Sequence, residues 1–372
     1  MKLIRFYCLS LFCGLCVSTL SAQIIHDVNT QQIASQALQK IYSLDFAGAK
    51  ALIVQIQQKY PTHPVVPFLF AYSLSWENAP LTKQMTVYAA YEKHIQNSLS
   101  QAQAMLKKNE YDIEGVFFVM MAYSLLAMHE SESGTFMNSV NYGKKSFSYM
   151  KKGFKLTDRL ADFHFSTGLY KYYAVQYPDT HPIAKPFMAF FPGGSKSEGL
   201  NHLRTASQIG QYSKVESLLY LTAIYAKYEQ NHYYALECAQ KLVNLYPQNP
   251  LFWVKYCEGL IALGRYAEAE LYLSKFNTRT ENLYQTANRT FRGLIQERYY
   301  KNLPNAQAEY TLAVKPEQYD ARYSKDYIAF SYAGLARIAD KNAQKSLAKD
   351  YYKKVSKLSE YEGLRKEARE YK

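Results

Sequence analysis

Cysteine is scarce in this 372-residue chain, and what there is offers little chemistry. Three of the five cysteines, Cys8, Cys13 and Cys16, fall within the first 22 residues, and only Cys238 and Cys257 lie beyond them. Nineteen residues apart, these two make neither a metal framework nor a disulfide scaffold. They read as small buried helix residues, with pairing open to them in an oxidising compartment. Proline and glycine are also sparse, 12 and 16 residues, and no Pro/Gly/Ser-rich stretch divides the chain. One continuous array therefore fits better than two or three linked globular domains. Strand patterning of period two, bounded by hairpin turns, is missing, so β structure is expected to be nearly absent.

Catalytic motifs are missing as well. A phosphate-cradling loop needs glycine directly before Lys-Ser and another five residues earlier. Gly193-Gly194-Ser195-Lys196-Ser197 has serine before its lysine and lacks the upstream glycine. The eight histidines are spread singly, without the His-Glu-x-x-His pair that puts two zinc ligands on one helix face. His63 and His181 each precede a proline in Tyr-Pro turns and read as structural. There is no Gly-x-Ser-x-Gly elbow and no calcium loop, and Glu130 and Glu132, two apart, diverge on a helix end and should be solvated. No catalytic, cofactor-binding or metal-ligating residue is assigned and no cofactor is expected. An enzyme is left only the form of a site dispersed over several repeats.

What is present begins with a leader. Lys2 and Arg5 precede an apolar stretch from Phe6 to Val17, and small residues run from Ser18 to Ala22. Residues 1–22 are expected to be a signal peptide cleaved before Gln23, since twelve apolar positions fall short of the ~20 that span a bilayer. None of the three cysteines there follows the Leu-small-small pattern of an acylation site, so the expectation is an exported protein that is not a lipoprotein. Loss of Lys2 and Arg5 lowers the formal charge from +13 to +11. The remaining surplus sits in scattered pairs, Lys107-Lys108, Lys144-Lys145, Lys151-Lys152 and Lys353-Lys354, mostly where helices should end and cations complement the helix dipole. Nucleic acid is not expected as a partner, and Val116 to Met128, apolar all round but too short to span a membrane, should be a buried central helix.

Small residues and prolines recur at fixed spacing. Ala223, Ala235 and Pro247 lie twelve apart, and Ala37, Ala49 and Pro61 repeat that spacing near the start. Cys257 follows Ala223 by 34 residues and Ala269 follows Ala235 by 34, with Trp253 opening that unit and Gly264 making its turn. A larger side chain at these points would push paired helices apart. The turns also match, Tyr60-Pro61-Thr62-His63-Pro64 against Tyr246-Pro247-Gln248-Asn249-Pro250. This pattern resembles the 34-residue tetratricopeptide repeat. The expected fold is all-α, a superhelical solenoid of about eight helical hairpins filling residues 23–372, clearest at 33–64, 219–250, 253–280 and 327–358. Between these, Ala71, Ala122 and Gly168 mark first helices, and Thr82–Lys107, Thr135–Leu156 and Lys196–Ile209 are expected as second helices. Gly293 and Gly334 start two more hairpins, the last running Tyr327–Asp340 then Gln344–Leu358, and the charged segment Glu362–Tyr371 reads as the polar cap an open solenoid needs.

Residues 163–203 carry a further likeness. Phe165-Ser-Thr-Gly168-Leu-Tyr-Lys-Tyr-Tyr173, a Pro-rich segment, Phe190-Phe191-Pro-Gly-Gly194 and Gly199-Leu200 resemble exported tetratricopeptide proteins of Bacteroidota. The same stretch is distantly similar to a eukaryotic helical-repeat family that includes inclusion-body clearance proteins. The first resemblance covers most of the chain past the leader and implies the periplasm or cell surface of a Gram-negative bacterium; the second covers only this stretch, and neither brings a catalytic residue.

The tetratricopeptide resemblance implies that the first helix of each hairpin lines a concave face. Carried onto this chain, the groove-facing positions are Tyr172, Tyr173, Tyr220, Lys227, Tyr228 and Glu258. Tyrosine, 36 of the 372 residues, offers flat apolar area and a hydroxyl at little entropic cost, which suits an extended peptide or a glycan, although any one of these rings can equally pack neighbouring helices. A second candidate is Pro182–Gly194, an apolar insertion with Phe187, Phe190 and Phe191 that either folds back on the solenoid or stands out for docking. The leading reading is an exported scaffold that binds a protein or peptide partner. The alternatives are a glycan- or nutrient-binding component of an outer-membrane uptake system, and the dispersed enzyme.

Overall fold

The computed structural model describes residues 23–180, 193–315 and 321–371, so the leader and Phe187, Phe190 and Phe191 lie outside the described residues. Among the described residues there is no strand; seventeen α-helices carry the fold. They pair in sequence: α1 (Val28–Tyr42) with α2 (Phe46–Lys59), α3 (Val65–Glu77) with α4 (Tyr88–Lys108), α5 (Ile113–Glu132) with α6 (Phe136–Gly153), and α7 (Phe163–Thr180) with α8 (Lys196–Ile209). The series continues with α9 (Lys214–Lys227) and α10 (His232–Leu245), α11 (Pro250–Ala262) and α12 (Tyr266–Tyr272), α13 (Asn282–Arg298) and α14 (Leu303–Ala313), and α15 (Ala321–Lys341) and α16 (Lys345–Leu358). Helix α17 (Glu362–Glu370) closes an array of eight hairpins. First helices touch one another, α1 with α3, α3 with α5, α11 with α13 and α13 with α15, and rings join α5 to α7 (Phe117 to Phe163, 5.7 Å) and α7 to α9 (Tyr173 to Tyr220, 6.5 Å), so they form the inner layer of the solenoid.

Local chemistry starts many of these helices. Asp27, Asp45, Asp112, Ser195, Asn231, Asn249 and Asn302 each accept a backbone N–H from the first turn, the capping that satisfies otherwise orphaned amides. Ser195 thus caps α8, which accounts for the loop-like Gly-Gly-Ser-Lys run. Asp27 also accepts from the Lys59 ammonium at 2.6 Å and the Tyr60 hydroxyl at 2.8 Å, tying the start of α1 to the end of α2.

Small residues sit where helices meet. Ala37, Ala49, Ala71, Ala122, Cys257 and Ala269 have no exposed surface. Helix α7 crosses α8 at close range: a Cβ on Gly199 would fall 2.6 Å from the Tyr172 amide nitrogen and 2.8 Å from the Gly168 carbonyl oxygen. Those backbones touch directly. Further on, the ring of Tyr310 is clasped between Gly293 and Gly334. Helix α5 is buried from Ile113 to Met120, its apolar residues together with Glu114, whose carboxylate accepts the Ile24 and Ile25 N–H groups at 3.0 Å, although by length and composition alone it could cross a membrane.

Three details depart from expectation. Helix α4 starts at Tyr88 and not Thr82, because two successive tight turns, Met85 N–H to the Thr82 carbonyl and Tyr88 N–H to the Met85 carbonyl, fill the interval. Helix α15 starts at Ala321, since no proline or glycine interrupts Ala-Arg-Tyr-Ser-Lys-Asp before Tyr327. Of the lysine pairs, 107–108 and 151–152 end helices, but 144–145 and 353–354 lie within α6 and α16. There the ammoniums of Lys145 and Lys354 rest over the rings of Tyr123, at 5.5 Å, and Tyr332, at 4.6 Å, a cation–π use of the charge.

The superhelix winds tightly enough for distant hairpins to meet. The Tyr42 hydroxyl at the end of α1 reaches both carboxylate oxygens of Glu216 on α9, at 2.6 and 2.7 Å. Asn249 donates to the Tyr42 carbonyl at 2.9 Å, and the rings of Trp76 on α3 and Phe252 on α11 stand 5.9 Å apart. Buried Asp162 accepts the backbone N–H groups of Tyr212 and Ser213, each at 2.8 Å, and so pins the chain entering α9 to the start of α7.

Candidate functional site

The inner layer brings the six groove-facing candidates into one continuous surface. Tyr172 and Tyr173 project from α7 with ring centroids 5.4 Å apart, and Tyr173 lies 6.5 Å from Tyr220 and 6.2 Å from Tyr228. Phe165 extends the cluster, 5.6 Å from Tyr220. Their accessibility differs. Tyr172 is wholly buried, its hydroxyl donating to Glu229 at 2.6 Å, so it packs helices; Tyr220 keeps 36% of its surface exposed, and Tyr173 is half-buried beside it. Tyr220 and Tyr173 therefore keep solvent-facing area.

Lys227, Tyr228 and Glu258 are engaged within the chain. The Lys227 ammonium lies 2.7 Å from Asp326 and 3.2 Å from Glu360, and the Tyr228 hydroxyl donates to Glu360 at 3.1 Å. Burial opposes the charge on Lys227, yet Asp326 and Glu360 outweigh it and raise its pKa above the usual lysine range. Burial likewise opposes the charge on Glu360, but Lys227 and Lys325 hold that carboxyl at about 2. Glu258 is buried, 2.9 Å from Lys255, and accepts from the hydroxyls of Tyr327 at 2.9 Å and of Tyr361. Lys227, Lys255 and Lys325 of α9, α11 and α15 are thus balanced by Glu258 and Asp326 on the same helices and by Glu360 from the segment before α17.

Toward the N-terminal half the surface changes character. Glu216 forms no ion pair among the described residues; its carboxylate faces the hydroxyl of Tyr42, which in turn lies 3.1 Å from the Tyr72 hydroxyl. Burial lifts its pKa to about 7, against the pull of the Tyr42 hydrogen bonds. Neither Tyr42, Glu216, Lys255, Glu360 nor Tyr361 was among the expected site residues. They reach the surface through contacts spanning up to 174 positions, and no local periodicity marks them.

Outside this surface, Glu130 and Glu132, expected to be solvated, are both largely covered and engaged. Glu130 pairs with Lys83 at 2.7 Å, and Glu132 lies 3.4 Å from His129. His63 bonds its own turn, Nδ1 accepting from the Val65 N–H at 3.2 Å, while His181 lies outside the described residues. His164 and His202 bring their Nδ1 atoms to 2.6 Å across α7 and α8. No group of three or more His, Cys, Asp or Glu among the described residues is placed to hold a metal ion.

No protein-family model matches the sequence, and no curated protein matches it. Among solved structures, the chain is similar to the human IFIT1 dimer with PPP-AAAA, at 17% identity and a TM-score of 0.40, over 88% of this chain and 67% of that one. It is also similar to yeast Tom70, at 11% identity and a TM-score of 0.38, over 88% of this chain and 78% of that one.

Proposed function

We propose that this chain is an exported interaction scaffold of the tetratricopeptide type, taking a protein or peptide partner along its concave face. One observation carries the reading: on the inner layer Tyr173 and Tyr220 stand together, backed by the buried ring of Phe165, with Tyr220 open to solvent. Large rings held on packed helices supply contact area with few rotors left to freeze, the property that concentrates binding energy at interfaces. Export rests on the leader pattern of residues 1–22.

The test is a photo-crosslinking amino acid placed at position 220 in cells, with position 233 as control. Tyr233 is 78% exposed but stands on α10, in the outer layer. A discrete adduct in the envelope fraction from position 220 and none from 233 is expected, on a protein whose N-terminus is Gln23. Adducts that are absent at 220, or the same from both positions, would overturn the scaffold reading, and an intact leader on the cytoplasmic protein would overturn export.

A further inference from the structure

Helix α17 packs on α15 and α16 as a cap does, but the segment leading into it reaches much further back. The Glu360 carboxylate takes Lys227 of α9 at 3.2 Å and the adjoining Tyr228 hydroxyl at 3.1 Å, together with Lys325 of α15. Tyr361 is buried; its hydroxyl donates to Glu258 of α11, and its ring lies 4.8 Å from Phe330 and 5.6 Å from the Lys227 ammonium. Two turns on, Glu367 accepts from Arg337 of α15 at 2.8 Å and from the Tyr352 hydroxyl at 2.9 Å. A helix that only covered the last hairpin would need none of the contacts to α9 and α11. The chain's own C-terminal segment lies across the concave face of hairpins five to eight.

It does not fill that face. A cavity of about 220 Å³ remains beneath it, lined by Phe291, Leu294 and Phe330 from the receptor side and by Leu364 from α17. His232, also in the lining, has a buried Nδ1 with no hydrogen-bond partner. Within α17 itself Leu364 is the one buried side chain, so little apolar area holds the helix down. The contacts that specify it are the two carboxylates and the tyrosine.

We propose that the C-terminal half of the concave face is a receptor site for an acidic-aromatic peptide segment, a Glu-Tyr pair followed about two helical turns later by a second carboxylate. Glu360–Glu367 occupies it in cis without filling the cavity, and a partner segment of the same chemistry binds by displacing it. Each element of that specificity is on the receptor: Lys227 and Lys325 for the first carboxylate, Glu258 for the tyrosine hydroxyl, Arg337 for the second carboxylate, and the apolar cavity for the side chain between. A tethered segment lowers the apparent affinity for a competitor by the fraction of time it is docked. The inference rests on the concave-face reading of function and adds to it which chemistry that face selects and what occupies it at rest.

The test uses the full chain and a fluorescent peptide of residues 358–371, followed by fluorescence anisotropy. The double substitution Glu360→Ala with Tyr361→Ala releases the cis segment and leaves Lys227, Glu258 and Arg337 in place. The released variant should bind the peptide at least about ten-fold tighter than the native chain does. A peptide carrying the same two substitutions should not bind. Equal affinity for the native and released chains, or no binding to either, would overturn the proposal. Should the variant fail to fold, hydrogen exchange on the native chain decides: faster exchange in α17 than in α11 and α13 is expected, and equal protection in all three refutes a displaceable segment. A partner crosslinked at position 220 without peptide binding would sink this inference and leave the scaffold; peptide binding without any such partner would do the reverse.

Discussion

Replacing Glu216 by glutamine isolates one charge at the place where the superhelix folds back on itself. The carboxylate on α9 is held by the Tyr42 hydroxyl from α1, with no ion pair among the described residues, and burial raises its pKa from the ordinary 4.5 to about 7. The folded chain therefore binds this proton more tightly than the unfolded chain. Its contribution is greatest below pH 4.5 and is lost as the pH rises through 7. The full separation corresponds to about 3 kcal/mol as an upper bound, of which about 2 kcal/mol is lost between pH 5.5 and 8. Glutamine keeps a hydrogen-bonding partner for Tyr42 and does not titrate. Urea denaturation of both proteins at these two pH values measures the difference, and histidines and other groups common to both cancel. The native chain should lose stability relative to Glu216→Gln on going to pH 8. Parallel pH dependence in the two proteins would refute the reasoning, because it would mean that Glu216 is ionised at ordinary cost where it stands.

Other outcomes follow from packing and burial. Gly199→Ala should destabilise by roughly 1–3 kcal/mol, since its methyl group would meet the backbone of α7 and the helices must part, whereas Gly143→Ala, in open space within α6, should be neutral or stabilise by up to about 1 kcal/mol. Thermal denaturation of the two variants side by side distinguishes them, and equal effects would argue against direct backbone contact. Cys238 and Cys257 are buried free thiols, their pKa values pushed up by burial to about 11 and about 12. Both should resist alkylation until the chain unfolds, and mobility on gels should be the same with and without reductant.

Much of the architecture was legible because repeats write their contacts into the sequence. Ala37, Ala49, Cys257 and Ala269 are small because two helix backbones meet there, and each is fully buried. Capping residues such as Asn231 and Asn302 act within three positions of themselves and can be read without a fold. Helix starts were harder: the turns between Thr82 and Tyr88 are made by backbone hydrogen bonds that no residue type there announces. The groove was legible only as a set of positions. Tyr172 and Tyr220 look alike in sequence, yet one is sealed inside and the other open, because burial depends on what the neighbouring hairpins bring.

Hydrophobic spacing and the 34-residue interval, then, are properties of nearest neighbours in a stacked array, and the sequence alone was enough to determine the helical hairpins and their order. The curvature of the superhelix accumulates from small rotations at every contact, and only the tertiary structure decided it. That curvature brings Tyr42 to Glu216 and lays Glu360 and Tyr361 against Lys227 and Glu258, so what covers the inner face is a long-range result that no local pattern encodes.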